Sequence, residues 1–141
     1  MNIMCDVYAT LRNLPGFIDN EYLRMYCRLI EQNTRTRQLP KVTHAHHIIP
    51  KSWFKLNNQE VDNSLVNLVN LVYRNHVLAH YYLCLCTTGA LQYANELALV
   101  CLYSRNKLNI VDKQLFRLLP LYNSIYEDYE NKKKSNYKLY K

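Results

Sequence analysis

The sequence predicts an α+β fold, mostly helical, in which two short strands and a helix sit among additional helices. Three observations predict it. Glycine and proline are scarce, at 2 and 4 of 141 residues, which favours helices over many short turns. Apolar residues recur at helical spacing over most of the chain. Two brief aliphatic, partly β-branched runs, Val42–Ile49 and Leu65–Val72, interrupt that pattern and read as strands.

The first helix is expected over residues 2–13, ended by the turn signal Pro15-Gly16. Asp19 or Asn20 can cap a second helix reaching about Gln32. Its positions Leu23, Tyr26, Cys27 and Ile30 form one buried stripe, and Arg24 and Arg28 beside it read as a solvated face. Asn33 to Lys41 is a polar linker whose Arg35, Arg37 and Lys41 can grip a nucleic-acid backbone. Val42–Ile49 is stopped by Pro50, and alternation puts His44 and His46 on one face and His47 on the other. A loop is expected from Trp53 to about Ser64, with Trp53 as a core plug. After the second strand, a helix begins near Arg74 or Asn75 and runs to about Cys86, with Asn75 as its N-cap or a first-turn group. Thr87-Thr88-Gly89 ends it. Two helices follow, near 90–105 and 112–131, and Pro120 kinks or divides the last. Residues 132–141, rich in lysine, read as a frayed tail.

The division is one domain: residues 1–41 as a helical part and basic linker, 42–87 as the core, 88–131 as C-terminal helices, 132–141 as a basic tail. The length suffices for a real core. A formal charge of +7 points to a polyanionic partner. The five cysteines show no Cys-x-x-Cys spacing. Cys84 and Cys86 would stand about 200° apart on a helix, so they should not share a metal. Asp6 and Arg12 break any N-terminal signal pattern, and His80, Gln92, Asn95 and Glu96 interrupt the most apolar tract. The expectation is a cytoplasmic protein with no membrane partner, a monomer or homodimer.

All five histidines (His44, His46, His47, His76, His80) fall between Thr43 and His80. His76 and His80 are one helical turn apart, so both rings leave the same face. His46 on the preceding strand completes three ligands, which leaves coordination positions for water and a phosphate oxygen. Imidazole suits zinc, nickel, manganese or cobalt; magnesium prefers oxygen but stays in the set because availability can decide. His47, turned from His46, suits a general base acting on water, a usual role of an imidazole left off a metal. Lys51 and Arg74 would add charge stabilisation at the phosphate. His44 is left as a strand-edge polar residue, an alternate ligand or a phosphate contact.

The run His46-His47-Ile48-Ile49-Pro50-Lys51-Ser52, then Asn67-Leu68-Val69-x-Leu71, then His76-x-x-Ala79-His80, resembles the HNH endonuclease family, and more narrowly its small phage and bacterial members. The resemblance implies a ββα-metal (His-Me) finger of two antiparallel strands and a helix. It implies that His46, His76 and His80 hold the metal, that His47 is the base, and that Asn67 braces the base-bearing loop. Asn70 is the rival for that last role. The implied activity is metal-dependent hydrolysis of DNA, with homing, restriction and packaging roles all open. The sequence departs from the family in lacking Gly-Gly after Pro50 and in carrying Asn75 and Ala45 where charged residues are common. Two rivals stand beside it: a non-catalytic nucleic-acid-binding module with a structural metal, and a metal-dependent RNase or toxin.

Overall fold

Asn20 starts the first long helix and ties it to the rest of the molecule. In the computed structural model, which describes residues 3–34, 43–104 and 110–135 (backbone alone for 3–6 and 110–113), its Oδ1 accepts the N–H groups of Tyr22 and Leu23 at 3.0 and 3.1 Å. Its Nδ2 donates to the Leu85 carbonyl at 2.9 Å. The capping residue is therefore Asn20 and not Asp19, which instead accepts a hydrogen bond from Tyr8 at 2.6 Å.

The elements run α1 (Ile3–Leu11), α2 (Glu21–Thr34), β1 (His44–His47), α3 (Lys51–Leu56), a 3-10 turn (Leu65–Asn67), β2 (Leu68–Leu71), α4 (Tyr73–Leu85), α5 (Gly89–Tyr103), α6 (Ile110–Arg117) and α7 (Tyr122–Lys134). The described residues are mostly helical with one two-stranded antiparallel sheet, as an α+β reading requires. β1 pairs with β2 in the register His44↔Leu71, Ala45↔Asn70, His46↔Val69, His47↔Leu68.

The expected α2 stripe is the buried one: Leu23, Tyr26, Cys27 and Ile30, with Leu29 added. It meets Leu71 of β2 and Ala79 and Leu83 of α4 in one core cluster. The opposite flank of α4, through Val77, Tyr81 and Cys84, joins Leu99 and Leu102 of α5 and Phe116, Tyr122 and Ile125 beyond. Buried on both flanks, α4 is the central helix. Arg24 and Arg28 are exposed, as a solvated face should be.

Four expectations need correction. The segment after Pro50 is not a loop throughout: Lys51–Leu56 is helical. Six residues are too few to display an amphipathic repeat, and the turn is held by tertiary burial of Trp53 and Phe54 against Leu91. The Trp53 indole also donates to the Pro15 carbonyl at 3.1 Å, so the core-plug expectation holds. Second, β2 is shorter than expected, because Leu65–Asn67 wind into the 3-10 turn before it. β1 is likewise short: it ends at His47, ahead of a bend at Ile48 and Ile49, and Val42 lies outside the described residues. Third, the N-cap option for Asn75 falls, since Val72 holds that position; Asn75 is the first-turn group of α4, the other expectation, and its amide donates to Asn33 Oδ1 at 3.3 Å. Fourth, Lys132 belongs to α7 rather than to a frayed tail. Its ammonium sits 3.2 Å from the buried Glu96 carboxylate and 2.9 Å from Asp128. Burial and the hydrogen bond to Asp128 push Glu96 up to about 8 despite that cation. Pro120 divides α6 from α7 as expected.

Among the described residues no helix is long and apolar enough to cross a membrane. Cys27, Cys84, Cys86 and Cys101 are free thiols.

Leu99 is fully buried where α5 meets α4. Leu99→Ala should destabilise the fold by about 2–5 kcal/mol, read as a lower urea midpoint at unchanged slope.

Candidate metal centre

Three rings converge because strand register and helix pitch bring them there. His46 points inward from β1 and is 3% exposed. His76 and His80 project from one face of α4 toward it. The ring centroids lie 5.4 Å (His46–His76), 5.1 Å (His46–His80) and 4.9 Å (His76–His80) apart. Each ring offers a nitrogen, and the three nitrogens lie within 4.8 Å of one another. The three expected ligands are thus together and form a group able to hold a metal ion.

One nitrogen of each ring is also engaged. His46 Nε2 lies 2.8 Å from the Tyr26 hydroxyl. His76 Nδ1 lies 2.9 Å from His44 Nδ1. His80 Nδ1 lies 3.3 Å from Asn95 Oδ1. Asn95 is itself 2% exposed, and its Nδ2 donates to the Leu91 carbonyl, which turns Oδ1 toward His80. Metal-binding imidazoles characteristically rest on such outer partners, which fix tautomer and ring direction. His44 therefore stands behind a ligand; of the three options left open for it, none anticipated this contact.

Burial disfavours the charged form of two of the rings. Burial first, then the neighbouring His80, His76 and His47, hold His46 well below the ordinary histidine range. Burial pushes His80 down to about 4, against the opposing hydrogen bond with Asn95. A neutral imidazole carries the lone pair that a metal needs. The donor set fits a divalent ion of borderline softness, since nitrogen supplies every protein ligand in the group.

His47 occupies the last position of β1 and is not one of the converging ligands. Its Nε2 lies 2.7 Å from Asn63 Oδ1. Asn67 holds the surrounding backbone: its Oδ1 accepts from Ile49 N–H at 2.8 Å, and its Nδ2 donates to the carbonyls of Asp62 at 2.9 Å and Ile49 at 3.3 Å. Asn67 is buried whereas Asn70 is exposed, so the bracing contacts belong to Asn67.

His46, His47, His76 and His80 line one cleft of about 340 Å³, together with Lys51, Lys55 and the α5 face at Ala94 and Ala98. Lys51, an expected phosphate contact, is at the cleft. Arg74 is exposed on the first turn of α4 and is not among the cleft-lining residues. Arg35, Arg37 and Lys41 lie outside the described residues. Four participants escaped the sequence reading. Lys55 follows Lys51 by one turn of a helix that was not foreseen. Asn95 left a signal, a polar residue in an apolar helix, that was used only against a membrane span. Tyr26 and Asn63 left none. Comparison of the chain with known protein families, curated proteins and solved structures found no match.

The depressed His80 value has a stability consequence. Its neutral form is favoured in the native state, so its contribution is complete above about pH 6.5 and is lost as pH falls toward 4. In chelator, the wild type should lose about 1–3 kcal/mol relative to His80→Gln between pH 7 and pH 4, measured by denaturant titration at each pH.

Proposed function

We propose that the protein is a metal-dependent endonuclease of the HNH type, hydrolysing phosphodiester bonds in DNA, with β1, β2 and α4 as its ββα-metal finger. The observation that carries this reading is His47: a fourth imidazole on the wall of the same cleft, outside the ligand set and with one nitrogen already held. A purely structural metal would have no use for it.

Asn63 Oδ1 can only accept, so His47 Nε2 carries the ring proton and Nδ1 keeps the lone pair. That nitrogen takes a proton from water as the water attacks phosphorus in line. Asn67 fixes the backbone at Ile49, two residues after the base, and at Asp62, next to the base's partner Asn63, so the imidazole need not be ordered at the moment of reaction. Lys51 and Lys55, exposed along one flank of the cleft, draw the phosphodiester backbone in and offset its charge. An ion held by His46, His76 and His80 supplies charge neutralisation at the phosphate and the departing oxygen. Zinc, manganese and nickel suit the nitrogen ligands, with magnesium the least suited. The +7 formal charge agrees with a nucleic-acid partner.

Incubation with supercoiled plasmid tests the reading. The wild type should nick it, EDTA should abolish nicking, and His47→Ala should cut about 10²–10⁴-fold more slowly while binding metal as tightly as wild type. Equal cutting by His47→Ala would remove the base assignment. Binding of the plasmid without cleavage in any metal would favour the non-catalytic module, and cleavage confined to RNA would replace the substrate.

A further inference from the structure

Tyr26 lies on α2, outside the strands and helix that carry the histidines, and it is fully buried. Its hydroxyl has two neighbours: the Ile48 carbonyl at 2.7 Å and His46 Nε2 at 2.8 Å. A carbonyl oxygen only accepts, so the single hydroxyl proton goes to Ile48. The phenolic oxygen then has nothing but lone pairs to present to His46. Nε2 must therefore carry the ring proton, and in a neutral imidazole that leaves the lone pair on Nδ1.

The other two ligands are held the opposite way round. Asn95 presents an acceptor oxygen to His80 Nδ1, so that nitrogen carries the proton and Nε2 is left for an ion. His76 spends Nδ1 on His44, and with His76 as the donor of that bond Nε2 is likewise left for an ion. We infer that Tyr26 is a positioning residue that locks His46 as the Nε2–H tautomer, so that His46 ligates through Nδ1 while His76 and His80 ligate through Nε2. The inference rests on the metal-centre reading above and deepens it.

Burial gives the lock its strength. If His46 carried its proton on Nδ1, the Tyr26 hydroxyl would have to turn its own proton toward Nε2. The Ile48 carbonyl would then lose its partner in a site 5% exposed or less. The consequence reaches beyond one contact. Helix α2 stands outside the Thr43–His80 segment, yet it decides which nitrogen the first ligand offers.

Tyr26→Phe removes the hydroxyl and little else. Zinc affinity, measured by competition with a chromophoric chelator, should fall about 10–100-fold while helicity by circular dichroism is unchanged. Long-range ¹H–¹⁵N spectra of the metal-free wild type should show His46 protonated at Nε2, and the variant should show a mixture of tautomers. A folded Tyr26→Phe with wild-type zinc affinity would overturn the lock. So would a wild-type spectrum showing His46 protonated at Nδ1, a reading that needs neither the variant nor metal. Failure of the wild type to bind zinc at all would instead overturn the metal centre, and the tautomer spectrum would still decide the role of Tyr26.

Discussion

The burial of His46 is the constraint on which the rest of the site depends. A strand of four residues would by itself be a weak platform. Here β1 is clamped from three sides: by β2 in register, by the Tyr26 hydroxyl from α2, and by the two imidazoles of α4. The same enclosure that fixes the ring also strips it of water, and desolvation disfavours the imidazolium. Position and charge state therefore have one cause. A ring free to swing out would also be free to take a proton, and both changes weaken its hold on a cation.

The neighbouring histidine shows the contrast. His47 is one residue further on, yet it is partly exposed and held by an exposed asparagine rather than by a buried hydroxyl. The period-two alternation of a strand accounts for that difference. Alternation was expected to set the two rings on opposite faces, and it does separate a buried ring from a part-exposed one. Both still line one cleft, because β1 ends at His47 and the chain bends directly afterwards. Strand geometry thus yields two environments within one site, one suited to holding a cation and one open to solvent.

Much of this was legible in the sequence, for reasons that can be named. His76 and His80 are fixed by helix pitch, and His46 by the short strand that precedes Pro50. Asn67 was preferred to Asn70 through the family resemblance, and it is Asn67 that is buried with three hydrogen bonds to backbone. What stayed hidden depends on contacts between residues distant along the chain. Tyr26 reads as one member of an apolar stripe, and nothing local says that its hydroxyl reaches His46 and Ile48. Asn63 sits in a stretch read as an unremarkable loop. Helix α3 is too short to announce itself, which concealed Lys55. The lysine run from Lys132 looked like a solvated end because charge alone was visible, whereas the carboxylate that recruits Lys132 is buried on α5.

X-ray absorption of the protein loaded with one equivalent of zinc tests the central claim most directly, since it reports the atoms around the ion. Three imidazole nitrogens at about 2.0–2.1 Å, with lighter oxygen scatterers completing the shell and no sulfur, is the result that this account predicts. A shell containing sulfur, or one with fewer than three imidazoles, would contradict it.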